Sequence, residues 1–163
     1  MKHLLKKTAF WITLTSILVI ALLYKETYLL FSKKLNFSCK THYHQVLKKN
    51  NFIIDATVIF LFKNNGKGFL SMDGEVISNG HNYNLRREYY FDYQHDSRNI
   101  YRLTKINKIS SLRDNTPDGI MEKYFYTTMR PSGVLLTISP LENIKGLYAI
   151  GTIYSPTFLC TTN

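Results

Sequence analysis

The chain has 163 residues, room for one folded domain and little more. Apolar residues at 45% and charged residues at 20% exclude general disorder. The net charge of +10 suggests nucleic acid until it is divided: residues 1–35 hold six Lys and one Glu, and the other 128 hold fifteen basic and ten acidic residues. Half of the excess therefore flanks an apolar segment, which argues against direct nucleic-acid binding.

That segment, Thr8 to Tyr24, carries no charge and is at the lower limit for spanning a bilayer. Thr27–Phe31 extends it, with Tyr24 and Tyr28 as interfacial anchors. A cleaved signal peptide is the alternative, since Lys2, Lys6 and Lys7 make a basic start; the bulky LLYKETYLLFS of 22–32 offers no small-residue cleavage site. The reading is a cytoplasmic tail over 1–7, an uncleaved signal-anchor helix over 8–31, and an exported domain over 32–163.

From Asn36 onward, β-favouring runs alternate with turn signals. Strands are predicted over Phe37–Leu47, Phe52–Lys63, Phe69–Ser78, Tyr83–Gln94, Ile100–Ser111, Glu122–Arg130, Val134–Leu141 and Leu147–Cys160. Asn79-Gly80 is the strongest hairpin signal. Phe52, Ile54, Ala56, Val58, Phe60 and Phe62 share one face; Tyr83, Leu85, Tyr89, Phe91 and Tyr93 share another, with Arg87 as its exception. Ile100–Ser111 alternates poorly and reads as a sheet edge. The fold class is all-β: one N-terminal transmembrane helix, then an antiparallel barrel or curved sheet of about eight strands.

Two cysteines, Cys39 and Cys160, bracket the domain. Joined in an oxidising compartment, they close a loop of about 120 residues worth ~4–5 kcal/mol; otherwise they are two buried thiols. Neither lies in a zinc-binding spacing. No nucleophile elbow, zinc-protease or phosphate-loop motif occurs, so neither an enzyme nor a cofactor is expected. Four histidines are candidates for a proton switch: His42 and His44 on one face of the first strand, and His81 and His95 in turns at the ends of Tyr83–Gln94. A metal held by His42 and His44 lacks a third ligand that the sequence names.

Phe37-Ser38-Cys39, the stretch Tyr83-x-Leu85-x-Arg87-x-Tyr89-x-Phe91-x-Tyr93 and the tail Gly151-Thr152-Ile153-Tyr154-Ser155-Pro156-Thr157-Phe158-Leu159-Cys160 resemble the FidL-like and ToxS-like accessory membrane proteins of co-component signalling. The PsaF/MyfF fimbrial regulators are the members the chain resembles, and ToxS and VtrC are similar in layout. The resemblance implies a single-pass protein of the bacterial inner membrane with its domain in the periplasm. There it forms a heterodimer with a ToxR-like (PsaE/MyfE-type) membrane-bound winged-helix regulator, protects it, and senses acidity or a small amphipathic ligand such as a bile salt. A lipocalin-like barrel is implied with it. Tyr83, Tyr89, Phe91, Tyr93, Tyr148 and Tyr154 are then the candidate ligand- or partner-facing aromatics. The alternative is a membrane-anchored, lipocalin-like ligand carrier acting alone.

Overall fold

The computed structural model describes residues 11, 13–23, 34–48, 51–124, 133–152 and 156–162. They fall in two units, Met1–Lys33 and Lys34–Asn163. In the first, 13–23 is helical and the Thr15 hydroxyl donates to the Trp11 carbonyl at 3.0 Å. Trp11, Ile17, Leu18, Val19, Ile20 and Leu23 are all more than half exposed, so this helix presents apolar side chains on every side. Among the described residues no helix is long and apolar enough to cross a membrane. The predicted tail 1–7, and residues 8–10, 12 and 24–31 of the predicted span, lie outside the described residues.

The second unit is a closed antiparallel barrel whose eight strands neighbour one another in chain order. They are β1 (Phe37–Leu47), β2 (Phe52–Phe62), β3 (Lys67–Ser78), β4 (His81–Ser97), β5 (Ile100–Ser110), β6 (Val134–Pro140), β7 (Leu147–Gly151) and β8 (Pro156–Thr162). Alternation sets which face turns inward: the even-numbered apolar residues of β2, Phe52 to Phe62, are at most 1% exposed. They meet Leu70, Met72, Leu85, Tyr101, Leu103 and Ile150 inside. Phe60 lies 5.3 Å from Phe158 and Phe62 lies 5.4 Å from Tyr93, centroid to centroid, so inward-facing rings from strands two apart pack on one another. Gly74 is required on β3 because a Cβ there would sit 2.1 Å from the Asp55 carbonyl oxygen. Asn79 and Gly80, at φ 50° and 80°, make the tight turn that the sequence signals.

Two predicted elements differ, and the errors compensate in the strand count. Instead of a strand over Glu122–Arg130, a short helix runs Asp118–Tyr124; 125–130 lies outside the described residues. Pro117, whose carbonyl accepts the Ile120 N–H at 3.1 Å, and acidic Asp118 are helix-start signals that outweigh the aromatic content of the run. The predicted Leu147–Cys160 strand is two strands, β7 and β8, divided between Gly151 and Pro156, two residues that interrupt a ladder.

Candidate functional site

The barrel seam joins the first and last strands. β1 meets β8 in the register Cys39↔Thr162 and Lys40↔Thr161, and Cys39 is disulfide-bonded to Cys160 with Cα atoms 5.4 Å apart. Both cysteines are buried.

On the far side, β5 pairs with β4 along most of its length but with β6 only over Ile100–Leu103. Thr104–Ser110 therefore has no strand on its second side among the described residues. Lys105 and Lys108 sit on this stretch, and Lys105 (φ 50°) lies in a bulge. Charged edge residues and bulges are the ordinary guards of an open edge.

The segment after β5 continues along β4. Asn84 N–H donates to Asn115 Oδ1 at 2.7 Å, and the Thr116 hydroxyl donates to the Asn84 carbonyl at 2.9 Å. Arg87, the exception on the inward face, holds this segment from inside. Its guanidinium contacts Asp114 at 2.7 Å and Asp118 at 2.8 Å and donates to the Thr116 carbonyl. The Arg87 and Asp114 side chains are 3% and 2% exposed. Burial pulls the Arg87 pKa down; the Asp114 bond and charge, with Tyr89, reverse this and leave it above its ordinary value. Lys108 hydrogen-bonds Asp118 and, with the Arg87 charge, holds that carboxyl below the usual range. Met121 is fully buried, and Tyr124 lies 4.6 Å from Phe52. Sequence reading missed Asp114, Thr116 and Asp118; their signal was Arg87 itself, since a lone arginine on an apolar face needs buried partners.

The histidines separate. His42 Nε2 and His44 Nδ1 lie 3.2 and 3.0 Å from the two oxygens of Asp55, on the outer wall. Among the described residues no group of three His, Cys, Asp or Glu is placed to hold a metal. His81 and His95 do not occupy turns, because β4 runs from His81 to Ser97. His81 is exposed. His95 is 8% exposed, with Nε2 2.7 Å from the Arg98 carbonyl and Nδ1 without a hydrogen-bond partner.

Of the candidate aromatics, Tyr89, Phe91 and Tyr93 are core residues at 3–4% exposure. They face the barrel interior, where alternation from Leu85 carries them. The Tyr93 hydroxyl lies 2.6 Å from the Lys63 carbonyl and accepts the Leu35 N–H at 3.0 Å; burial pushes its pKa up. Tyr148 stacks on Phe37 at 4.2 Å. Tyr83 is half-buried, and Tyr154 lies outside the described residues. Outside the wall, Leu61, Phe69 and Tyr90 line a shallow apolar groove beside Lys63 and Lys67.

A family model described as FidL-like putative membrane protein matches residues 74–160. The match takes in the Arg87 cluster, the one-sided stretch of β5 and Cys160, and leaves out Cys39, His42, His44 and Asp55. No curated protein and no solved structure matches the chain.

Proposed function

Because the chain belongs to the FidL-like family, we propose that it is a non-enzymatic accessory protein of the bacterial inner membrane, anchored through its N-terminal apolar segment. In this reading the barrel lies in the periplasm and holds a ToxR-like membrane regulator of the PsaE/MyfE type as a heterodimer, in the manner of the PsaF/MyfF fimbrial regulators. The observation that carries it is that Thr104–Ser110 of β5 has no strand on its second side among the described residues; strand addition from a partner would supply main-chain hydrogen bonds there. The N-terminal helix, apolar on all sides, supports the anchor. The inward rings that pack between strands two apart favour this reading over a self-sufficient carrier, which needs a hollow barrel.

Hydrogen exchange of the full chain, alone and with the co-expressed regulator, tests it. The expected result is slowed exchange at 104–110 in the complex; unchanged exchange on every strand rules out strand addition. Acidity, the signal in this scheme, acts through His42, His44, His81 or His95. Protonated His42 and His44 become charge partners of Asp55, and protonated His95 places a charge behind the Arg98 turn. Replacing all four by Gln removes the response of regulator binding between pH 5.5 and 7.5. A retained response moves the sensor to the partner chain.

A further inference from the structure

We infer that a row of apolar side chains on the outer wall of the barrel, ending at the one-sided stretch of β5, is a second contact surface for a partner chain. It fits an extended segment with large apolar residues followed by carboxylates. The row is set by register: Leu61 of β2 pairs with Phe69 of β3, Phe69 with Tyr90 of β4, and Tyr90 with Asn107 of β5. Their sequence neighbours Phe62, Leu70 and Phe91 are buried, so alternation turns Leu61, Phe69 and Tyr90 outward. The Phe69 and Tyr90 rings lie 5.1 Å apart, and the Tyr90 hydroxyl, donating to Glu88 at 2.8 Å, holds its ring on the wall. Tyr90 is 43% exposed there. Lys63 and Lys67 line the same groove as Leu61, Phe69 and Tyr90.

The two ends of the row define the occupant. At one end Lys63 and Lys67 are exposed and make no ion pair among the described residues; Asp92, opposite Lys67 in register, is taken by Lys105 at 3.0 Å. The groove therefore offers positive charge beside its apolar floor and suits carboxylates. At the other end Asn107 belongs to Thr104–Ser110, which pairs with β4 alone among the described residues. A strand added there sets every second side chain on the outer face, in line with Asn107 and with Ile109, which is exposed opposite Glu88. From Asn107 to Leu61 is three strand spacings, about 14 Å, the reach of about four or five extended residues. A chain that pairs with β5 thus needs only a short continuation to cover the row and meet both lysines.

The inference rests on the strand addition proposed above, and a side-chain readout separates the two. The full chain, alone and with the co-expressed regulator, is oxidised by hydroxyl radicals, and its amide exchange is followed at 104–110. Oxidation of Phe69 and Tyr90 is expected to fall by about fivefold in the complex, while Ile53 and Ile77, register partners at the other end of the same wall, keep their reactivity. Lys63→Glu with Lys67→Glu weakens regulator binding by about tenfold and Tyr90→Ser by about thirtyfold, whereas Lys48→Glu leaves it. Slowed exchange at 104–110 with unchanged oxidation of both rings overturns the inference and keeps strand addition. Protected rings with unchanged exchange at 104–110 keep the surface and remove strand addition; neither change overturns both. Rings protected without the regulator, by a rise in the chain's own concentration or by phosphatidylglycerol vesicles, overturn the inference and give the surface to a second copy or to a bilayer.

Discussion

Every residue of β2 has a partner in both β1 and β3, and β3 continues register for register into β4. Among the described residues the other wall is thinner: β5 meets β6 over four residues, β6 meets β7 over four, and β8 meets β1 over two. The first wall is held by continuous ladders over an alternating apolar face. The second is secured at points, by a disulfide across the seam and a buried arginine beneath the segment that follows β5. A barrel can close with unequal walls when covalent and ionic fasteners reinforce the wall with the shorter ladders.

The largest effect should therefore come from the seam. Cys39→Ser with Cys160→Ser opens a loop of 121 residues and is expected to cost ~4–5 kcal/mol, a large share of a domain's stability of about 5–15 kcal/mol. Amide exchange should show β7 and β8 opening before β2–β4. Unchanged melting, or equal loosening of both walls, breaks the comparison. Arg87→Ala follows, at about 3–5 kcal/mol, because it leaves Asp114 buried without its charge partner. Arg87→Met with Asp114→Leu sharpens the point: replacing both charges should recover much of the loss in chemical denaturation. Gly74→Ala strikes the first wall, where the new methyl meets the β2 backbone. A cost of about 1–3 kcal/mol is expected, with exchange rising along β2 and β3 rather than at the seam.

The first wall is also the one the sequence displays. The strand Phe37–Leu47 is found over the predicted residues, and the alternation from Phe52 to Phe62 marks the core face directly. Each of these strands faces apolar packing on one side and solvent on the other, so period two is written in its residues. The second wall is less legible because its determinants are non-local. Arg87 advertises a buried charge but not that Asp114 and Asp118 return to it from a later turn. A run such as Leu147–Cys160 looks continuous although the chain reverses within it. Ile100–Ser111 reads as a sheet edge, but the barrel is closed and β5 pairs with β6 over Ile100–Leu103; only Thr104–Ser110 has one strand neighbour among the described residues. The aromatic face of β4 was visible too; that it fills the interior follows only once the barrel closes.

The smallest expected effect concerns acid and the second half of β5. Lys105 and Lys108 are tied to Asp92 and Asp118, and each lysine's hydrogen bond is the main reason its carboxyl titrates below the ordinary range. A carboxyl with a depressed folded pKa adds stability that is present above its unfolded value of about 3.9 and is lost as the pH falls through the folded value. Asp118 is about half exposed, so solvent screens the pair and its contribution is about 0.5 kcal/mol or less. Asp118→Asn should therefore leave the melting temperature at neutral pH nearly unchanged while flattening the acid limb below about pH 4. Exchange across Asp118–Tyr124 should rise only slightly, and only at pH values where Asp118 is ionised, because Arg87 still holds Asp114 and the Thr116 carbonyl. An acid limb identical to that of the parent chain would separate Lys108 from the fastening of the second wall and leave that role to Arg87 alone.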